Sequence, residues 1–145
     1  MSAAKHPQKP TILVVDDEAN IRKLVAVNLT SRGYNVLEAE SGAQALAFLG
    51  KQAPGLMVLD IKLPDLTGWE LLNQIMDTPH IKSDFPVLVM TASIMDAHID
   101  LAKFPRVAKI LIKPFSMGTF MSTVERILQK DNLEKGDNGP STRRR

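Results

Sequence analysis

Polar residues with chemical capability fall where apolar runs stop in this chain. Asp16 and Asp17 follow Thr11-Ile12-Leu13-Val14-Val15, and Asp60 closes Leu56-Met57-Val58-Leu59-Asp60. Thr91 follows Pro86-Val87-Leu88-Val89-Met90, and Lys113 follows Ala108-Lys109-Ile110-Leu111-Ile112. Such runs read as buried parallel strands, and open α/β sheets place ligands at the carboxyl ends of their strands. If strands one and three are neighbours, three carboxylates crowd together, which raises their pKa values and costs stability. A cation among them relieves that cost. Oxygen ligands without His or Cys point to a hard ion, Mg2+ before zinc. A carboxylate is also a nucleophile toward phosphorus, and phosphoryl transfer asks above all for neutralised equatorial oxygens. Asp60, on the middle strand, is the candidate nucleophile, with Asp16 and Asp17 as the metal side. The Lys113 ammonium and the Thr91 hydroxyl would each take a phosphoryl oxygen. Each residue alone has an ordinary reading: a helix N-cap for Asp16 or Asp17, loop capping for Asp60, a strand end for Thr91, a solvated lysine for Lys113. Their joint arrival at strand ends carries the functional argument.

The elements that must position these groups alternate along the chain. Strands are expected at Thr11–Val15, Tyr34–Ala39, Leu56–Asp60, Pro86–Met90 and Ala108–Ile112. Between them, Ile21, Leu24, Val25 and Leu29 have helical spacing in Ala19–Arg32, and Gly33 is a helix stop. Ser41-Gly42-Ala43-Gln44 and Thr67-Gly68-Trp69-Glu70 have the form of capping boxes that open two more helices. Asp96–Phe104 reads as a short fourth helix stopped near Pro105, and Ser116–Gln129 as an amphipathic fifth. Five strands alternating with five helices imply an α/β, doubly wound, five-stranded parallel sheet covered on both faces. The flavodoxin-like order 2-1-3-4-5 is the working topology. Residues 1–10 read as a disordered segment, 11–129 as one domain, and 130–145 as a charged flexible tail.

Composition is that of a globular domain, 44% apolar and 23% charged over 145 residues. With no cysteine there is no disulfide or thiolate metal site. No apolar run has membrane-span or signal-peptide character, so a cytoplasmic location is expected. Lys5 and Lys9 at one end and Arg143, Arg144 and Arg145 at the other supply the positive excess, and residues 11–129 are net negative. Nucleic-acid binding needs a basic face, so no direct DNA binding is expected. The methionines are scattered as packing residues, Trp69 reads as core or partial cover, and His6, His80 and His98 share no ligand spacing.

Val14-Val15-Asp16-Asp17-Glu18, Asp60 with Pro64 and Gly68, Thr91-Ala92 and Lys113-Pro114-Phe115 together resemble the receiver domain of two-component response regulators. The resemblance spans about Thr11 to Gln129. It implies that Asp60 takes a phosphoryl group from a phosphohistidine of a sensor histidine kinase or histidine phosphotransfer protein, with Mg2+ held by Asp16, Asp17, Asp60 and the backbone carbonyl of Lys62. It also implies a cis bond before Pro114, and a small Ala92 that leaves the donor room. Such a protein catalyses only its own phosphorylation and dephosphorylation, and signals to a downstream protein by contact or onward phosphorelay.

Two departures from the family pattern stand out. The switch position three residues before Lys113, often Tyr or Phe, is Ile110, so an aromatic partner for the Thr91 switch is absent there. The usual Gly-Ala before strand five is replaced within Phe104-Pro105-Arg106-Val107-Ala108, which predicts a reshaped fourth helix and loop. The Lys62 side chain either overhangs the phosphoryl group and slows its hydrolysis, or is simply solvated. The rival readings are a receiver fragment of a longer regulator, an unphosphorylated interaction module, and a haloacid-dehalogenase-type phosphatase. The last expects Asp-x-Asp, where this chain has Asp16-Asp17-Glu18 and then Asn20.

Overall fold

The computed structural model describes residues 9–136. Its elements are β1 (Thr11–Val15), α1 (Ala19–Ser31), β2 (Asn35–Ala39), α2 (Gly42–Leu49), β3 (Leu56–Asp60), α3 (Gly68–Asp77), β4 (Val87–Thr91), β5 (Val107–Ile112) and α4 (Met117–Gly136). The strands form one parallel sheet in the order β2-β1-β3-β4-β5. That is the flavodoxin-like order expected from the sequence.

β3 and β4 are buried along their whole length, and β1 nearly so, because helices cover both faces. Side chains alternate across the sheet with period two. Leu13, Val15, Met57 and Leu59 point to one core with Leu49 of α2 and Leu71 and Ile75 of α3. Ile12, Val14, Leu56 and Val58 point to the other, with Val25 and Leu29 of α1 and Phe120 and Val124 of α4. This two-sided packing fixes the register, and with it the residues left at the strand ends.

Local sequence accounts for most boundaries. After α1, Gly33 takes φ 93°. The Tyr34 N–H then reaches the Leu29 carbonyl at 3.2 Å and the Gly33 N–H that of Thr30 at 2.9 Å, which closes the helix with its last carbonyls satisfied. At α3 the full capping box forms between Thr67 and Glu70. At α2 only half of it does: Ser41 Oγ accepts from the Gln44 N–H, while Gln44 Oε1 turns to the Glu40 N–H.

The expected five helices are four among the described residues. In place of a helix at Asp96–Phe104 stand two 3₁₀ turns, Ile94–His98 and Leu101–Lys103. Short polar side chains divide the segment. Ser93 Oγ caps Met95 at 3.2 Å and Asp100 Oδ1 caps Ala102 at 3.1 Å, while Ile99 between them is extended (φ -65°, ψ 151°). Caps this close together restart the chain before an α-helix can propagate. The last helix runs past the expected end at Gln129 to Gly136. The rest of the proposed tail and residues 1–8 of the proposed N-terminal segment lie outside the described residues.

Candidate functional site

The register brings the ends of β1, β3, β4 and β5 to one edge, around an open cleft of about 570 Å³ lined by Asp17, Asp60, Lys62, Thr91 and Lys113 among others. Asp16, next to Asp17 in the chain, is fully buried. The Asp16 N–H is tied to the Ala39 carbonyl at 3.0 Å. Its own carbonyl accepts from Arg22 Nη1 at 2.7 Å. Arg22, buried on α1, also reaches Glu38 of β2 at 3.1 Å, so a guanidinium clamps this strand end. Burial pushes the Asp16 carboxyl up to about 6, and the Asp60 charge adds to the rise. The Glu18 N–H, donating to Asp16 Oδ1 at 2.9 Å, and the Lys113 charge oppose it. Neither Asp16 nor Asp17 caps α1; Glu18 takes that position.

Asp60 ends β3 and is buried. Its Oδ1 accepts from the Lys62 N–H at 3.2 Å and its Oδ2 from Lys113 Nζ at 2.9 Å. Lys113 also approaches Asp16 Oδ2 at 3.5 Å and Glu18 Oε1 at 3.4 Å. Loss of hydration alone would lower the Lys113 pKa. The bond and charge of Asp60, then Asp16 and Glu18, outweigh it and raise the pKa, so the ammonium stays charged. The Lys113–Pro114 peptide is cis. Carboxylate oxygens of Asp16, Asp17 and Asp60 lie within 4.8 Å of one another. Two buried carboxylates and one exposed one, with oxygen as the sole donor type, fit a single hard divalent cation that keeps part of its water shell.

Thr91, buried at the end of β4, does not leave its hydroxyl free. Thr91 Oγ1 donates to Asp96 Oδ2 at 2.7 Å and accepts from the Ser93 N–H at 3.1 Å. The other Asp96 oxygen accepts from Trp69 Nε1 at 3.0 Å. Ala92 is exposed beside Thr91, and the exposed Lys62 lines the cleft. Ile110 is half-buried on β5 and packs on the same core as Trp69 and Phe104.

The geometry corresponds to a known family. Residues 12–125 match the response regulator receiver domain. This chain belongs to that family. The phosphate regulon transcriptional regulatory protein PhoB of Pseudomonas aeruginosa is 33% identical over 120 residues, covering 83% of this chain and 52% of PhoB. The probable transcriptional regulator ycf27 of Porphyridium aerugineum is 31% identical over 137 residues, covering 93% of this chain and 55% of ycf27. The chain thus spans about half the length of these curated relatives. Among solved structures, response regulator TrrA of Thermotoga maritima in complex with Mg2+-BeF superposes with a TM-score of 0.70 at 30% identity, covering 82% of this chain and 99% of that one.

Three parts of this receiver domain's site escaped sequence reasoning. Nothing in the sequence pattern marks Arg22, one of two adjacent basic residues in α1, and Glu18 is only the last residue of the Asp16-Asp17-Glu18 run. Asp96 lies 27 residues from Trp69 and on a segment expected to be helical, so nothing in the sequence pattern joined the two.

Proposed function

We propose that this receiver domain accepts a phosphoryl group on Asp60, in a Mg2+-dependent reaction, from the phosphohistidine of a histidine kinase or histidine phosphotransfer protein. The observation that carries this reading is Lys113 Nζ at 2.9 Å from Asp60 Oδ2, with a second buried carboxylate, Asp16, 3.5 Å from the same ammonium. A cation held by Asp16, Asp17 and Asp60, with the Lys62 carbonyl, supplies neutralisation of phosphoryl charge when bound. The relative TrrA, solved with Mg2+-BeF, supports that choice of ion.

An Asp60 oxygen forms the bond to phosphorus as the donor's P–N bond breaks, and the electron pair leaves on the imidazole nitrogen. The product is an acyl phosphate. Lys113, already poised on Asp60, follows the new charge onto a phosphoryl oxygen. Thr91 supplies a hydroxyl to another, and exposed Ala92 leaves the donor an open approach. Water attack later returns the carboxylate and inorganic phosphate.

Output passes through protein contacts or onward phosphorelay, by a population shift of the face around β5. Ile110 repacks there as an aliphatic group. We assign no DNA contact to residues 11–129, whose net charge is negative, and no turnover of other substrates. Among the described residues no helix is long and apolar enough to cross a membrane.

Intact mass after incubation with Mg2+ and acetyl phosphate tests the reading. One alkali-labile phosphoryl adduct is expected, absent from Asp60→Asn. An unmodified wild-type chain that also fails to bind Mg2+ would support an interaction module instead.

A further inference from the structure

A threonine hydroxyl has one proton to donate. In this structure Thr91 has committed it to Asp96 at 2.7 Å, while its oxygen lone pairs take the Ser93 N–H. Any hydrogen bond from Thr91 to a phosphoryl oxygen on Asp60 must therefore break the bond to Asp96. The Asp96 carboxylate is not an isolated acceptor. Its second oxygen holds the indole N–H of Trp69 at 3.0 Å. The Trp69 ring in turn lies on Phe104, centroids 4.9 Å apart and planes tilted by 40°. Asp96 sits on the first 3₁₀ turn and Phe104 at the end of the second. The hydroxyl at the end of β4 is thus wired, through one carboxylate, to an aromatic on α3 and to the segment that replaces the expected fourth helix.

We propose that Asp96 is a positioning residue for the phosphoryl chemistry of Asp60. It holds the Thr91 hydroxyl in a resting orientation and shares its charge with Trp69. Phosphorylation exchanges the Thr91–Asp96 bond for a Thr91–phosphoryl bond. Asp96 is then left with the indole alone, and Trp69 reads the change. An aromatic sensor of Thr91 is in this way present on α3, although the β5 position is the aliphatic Ile110. The inference rests on the phosphoacceptor reading given above and deepens it.

Trp69 is the only tryptophan in the chain, so its fluorescence reports this network directly. The experiment titrates the full chain with beryllium fluoride in saturating Mg2+, a phosphoryl mimic that needs no donor. It follows Trp69 emission and, by competition with acetyl phosphate in intact mass, occupancy of Asp60. In wild type, emission is expected to shift with occupancy. Asp96→Ala frees the hydroxyl beforehand: its emission is shifted without the mimic, and its beryllofluoride affinity rises roughly three- to tenfold, the range set by losing one carboxylate hydrogen bond of a half-exposed group. Asp96→Asn, nearly the same shape, is expected to lie between the two. In a Thr91→Ala background the affinity gain from Asp96→Ala disappears, which separates positioning through Thr91 from general loosening of the segment. An unchanged wild-type emission at full Asp60 occupancy would overturn the proposal. So would an affinity gain from Asp96→Ala that persists without the Thr91 hydroxyl. A wild-type chain that takes neither beryllofluoride nor phosphoryl group would instead remove the phosphoacceptor reading, and this inference with it.

Discussion

Asp16→Asn should stabilise the metal-free protein at neutral pH. The Asp16 side chain is fully buried, and its pKa is raised from 3.8 to about 6, burial being the main cause. A carboxyl with a raised folded-state pKa stabilises the fold most when protonated. Its contribution is fully present below about 3.8 and is lost as pH rises through about 6. At about pH 7.5 the ionised group therefore costs roughly 3 kcal/mol, from about 1.36 kcal/mol for each unit of pKa difference. The penalty falls to about half of that near pH 5, and to a few tenths of a kcal/mol near pH 3.8. Asparagine removes the charge and keeps an oxygen for the Glu18 N–H, which donates to Asp16 Oδ1. It gives up the 3.5 Å approach to Lys113, which keeps Asp60 and Glu18. The raised pKa already includes the attraction of Lys113, so a gain of roughly 3 kcal/mol is expected at about pH 7.5. The assay is urea denaturation of both chains in chelator at several pH values. Wild type should gain on the variant as pH falls, and the two curves should converge near pH 4. Mg2+ at about a hundredfold its Kd adds about 2.7 kcal/mol to wild type by linkage, and much less to the variant. A variant less stable than wild type at neutral pH, or a difference that does not change with pH, would refute the reasoning.

Three further outcomes follow from packing and capping. Gly68→Ala would ordinarily favour a helix, but an added Cβ would lie 3.0 Å from the Asp60 carbonyl oxygen and from Ile61 Cα. We expect a loss of roughly 1–3 kcal/mol by thermal melting, with slowed phosphorylation of Asp60, because the backbone must shift. Leu71→Ala removes a fully buried side chain between α3 and the sheet, which should cost about 2–5 kcal/mol in denaturant midpoints with Mg2+ binding retained. Thr67→Ala breaks the capping box at α3 and should cost about 1 kcal/mol. Thr67→Ser should restore most of it.

Much of the architecture is legible in the sequence. Buried parallel strands must be continuous apolar runs, so β1, β3 and β4 announce themselves, and the polar residues that end them mark the carboxyl edge of the sheet. Gly33 and the Thr67–Glu70 pair encode their boundaries locally, since only neighbouring backbone atoms are involved. The segment after Thr91 shows the limit of such reading. Asp96–Phe104 reads as one short helix stopped near Pro105, whereas caps at Ser93 and Asp100, with Ile99 extended between them, give two short turns.

Other features exist only once strands are neighbours. Asp16 follows β1 and Asp60 ends β3, and their shared approach to Lys113 depends on the order β1-β3-β4-β5. The raised Asp16 pKa depends on burial, which local composition does not specify. Arg22 becomes a clamp because α1 lays it over the junction of β1 and β2. The Thr91–Asp96–Trp69 connection joins a strand end, a 3₁₀ turn and a helix start. Hydrogen bonds of this kind leave no periodic trace in a sequence, because their geometry is set by packing between distant elements. Residue types at the ends of apolar runs mark Asp16, Asp17, Asp60, Thr91 and Lys113; packing between distant elements adds Asp96 to the cleft and sets which groups hold one another there.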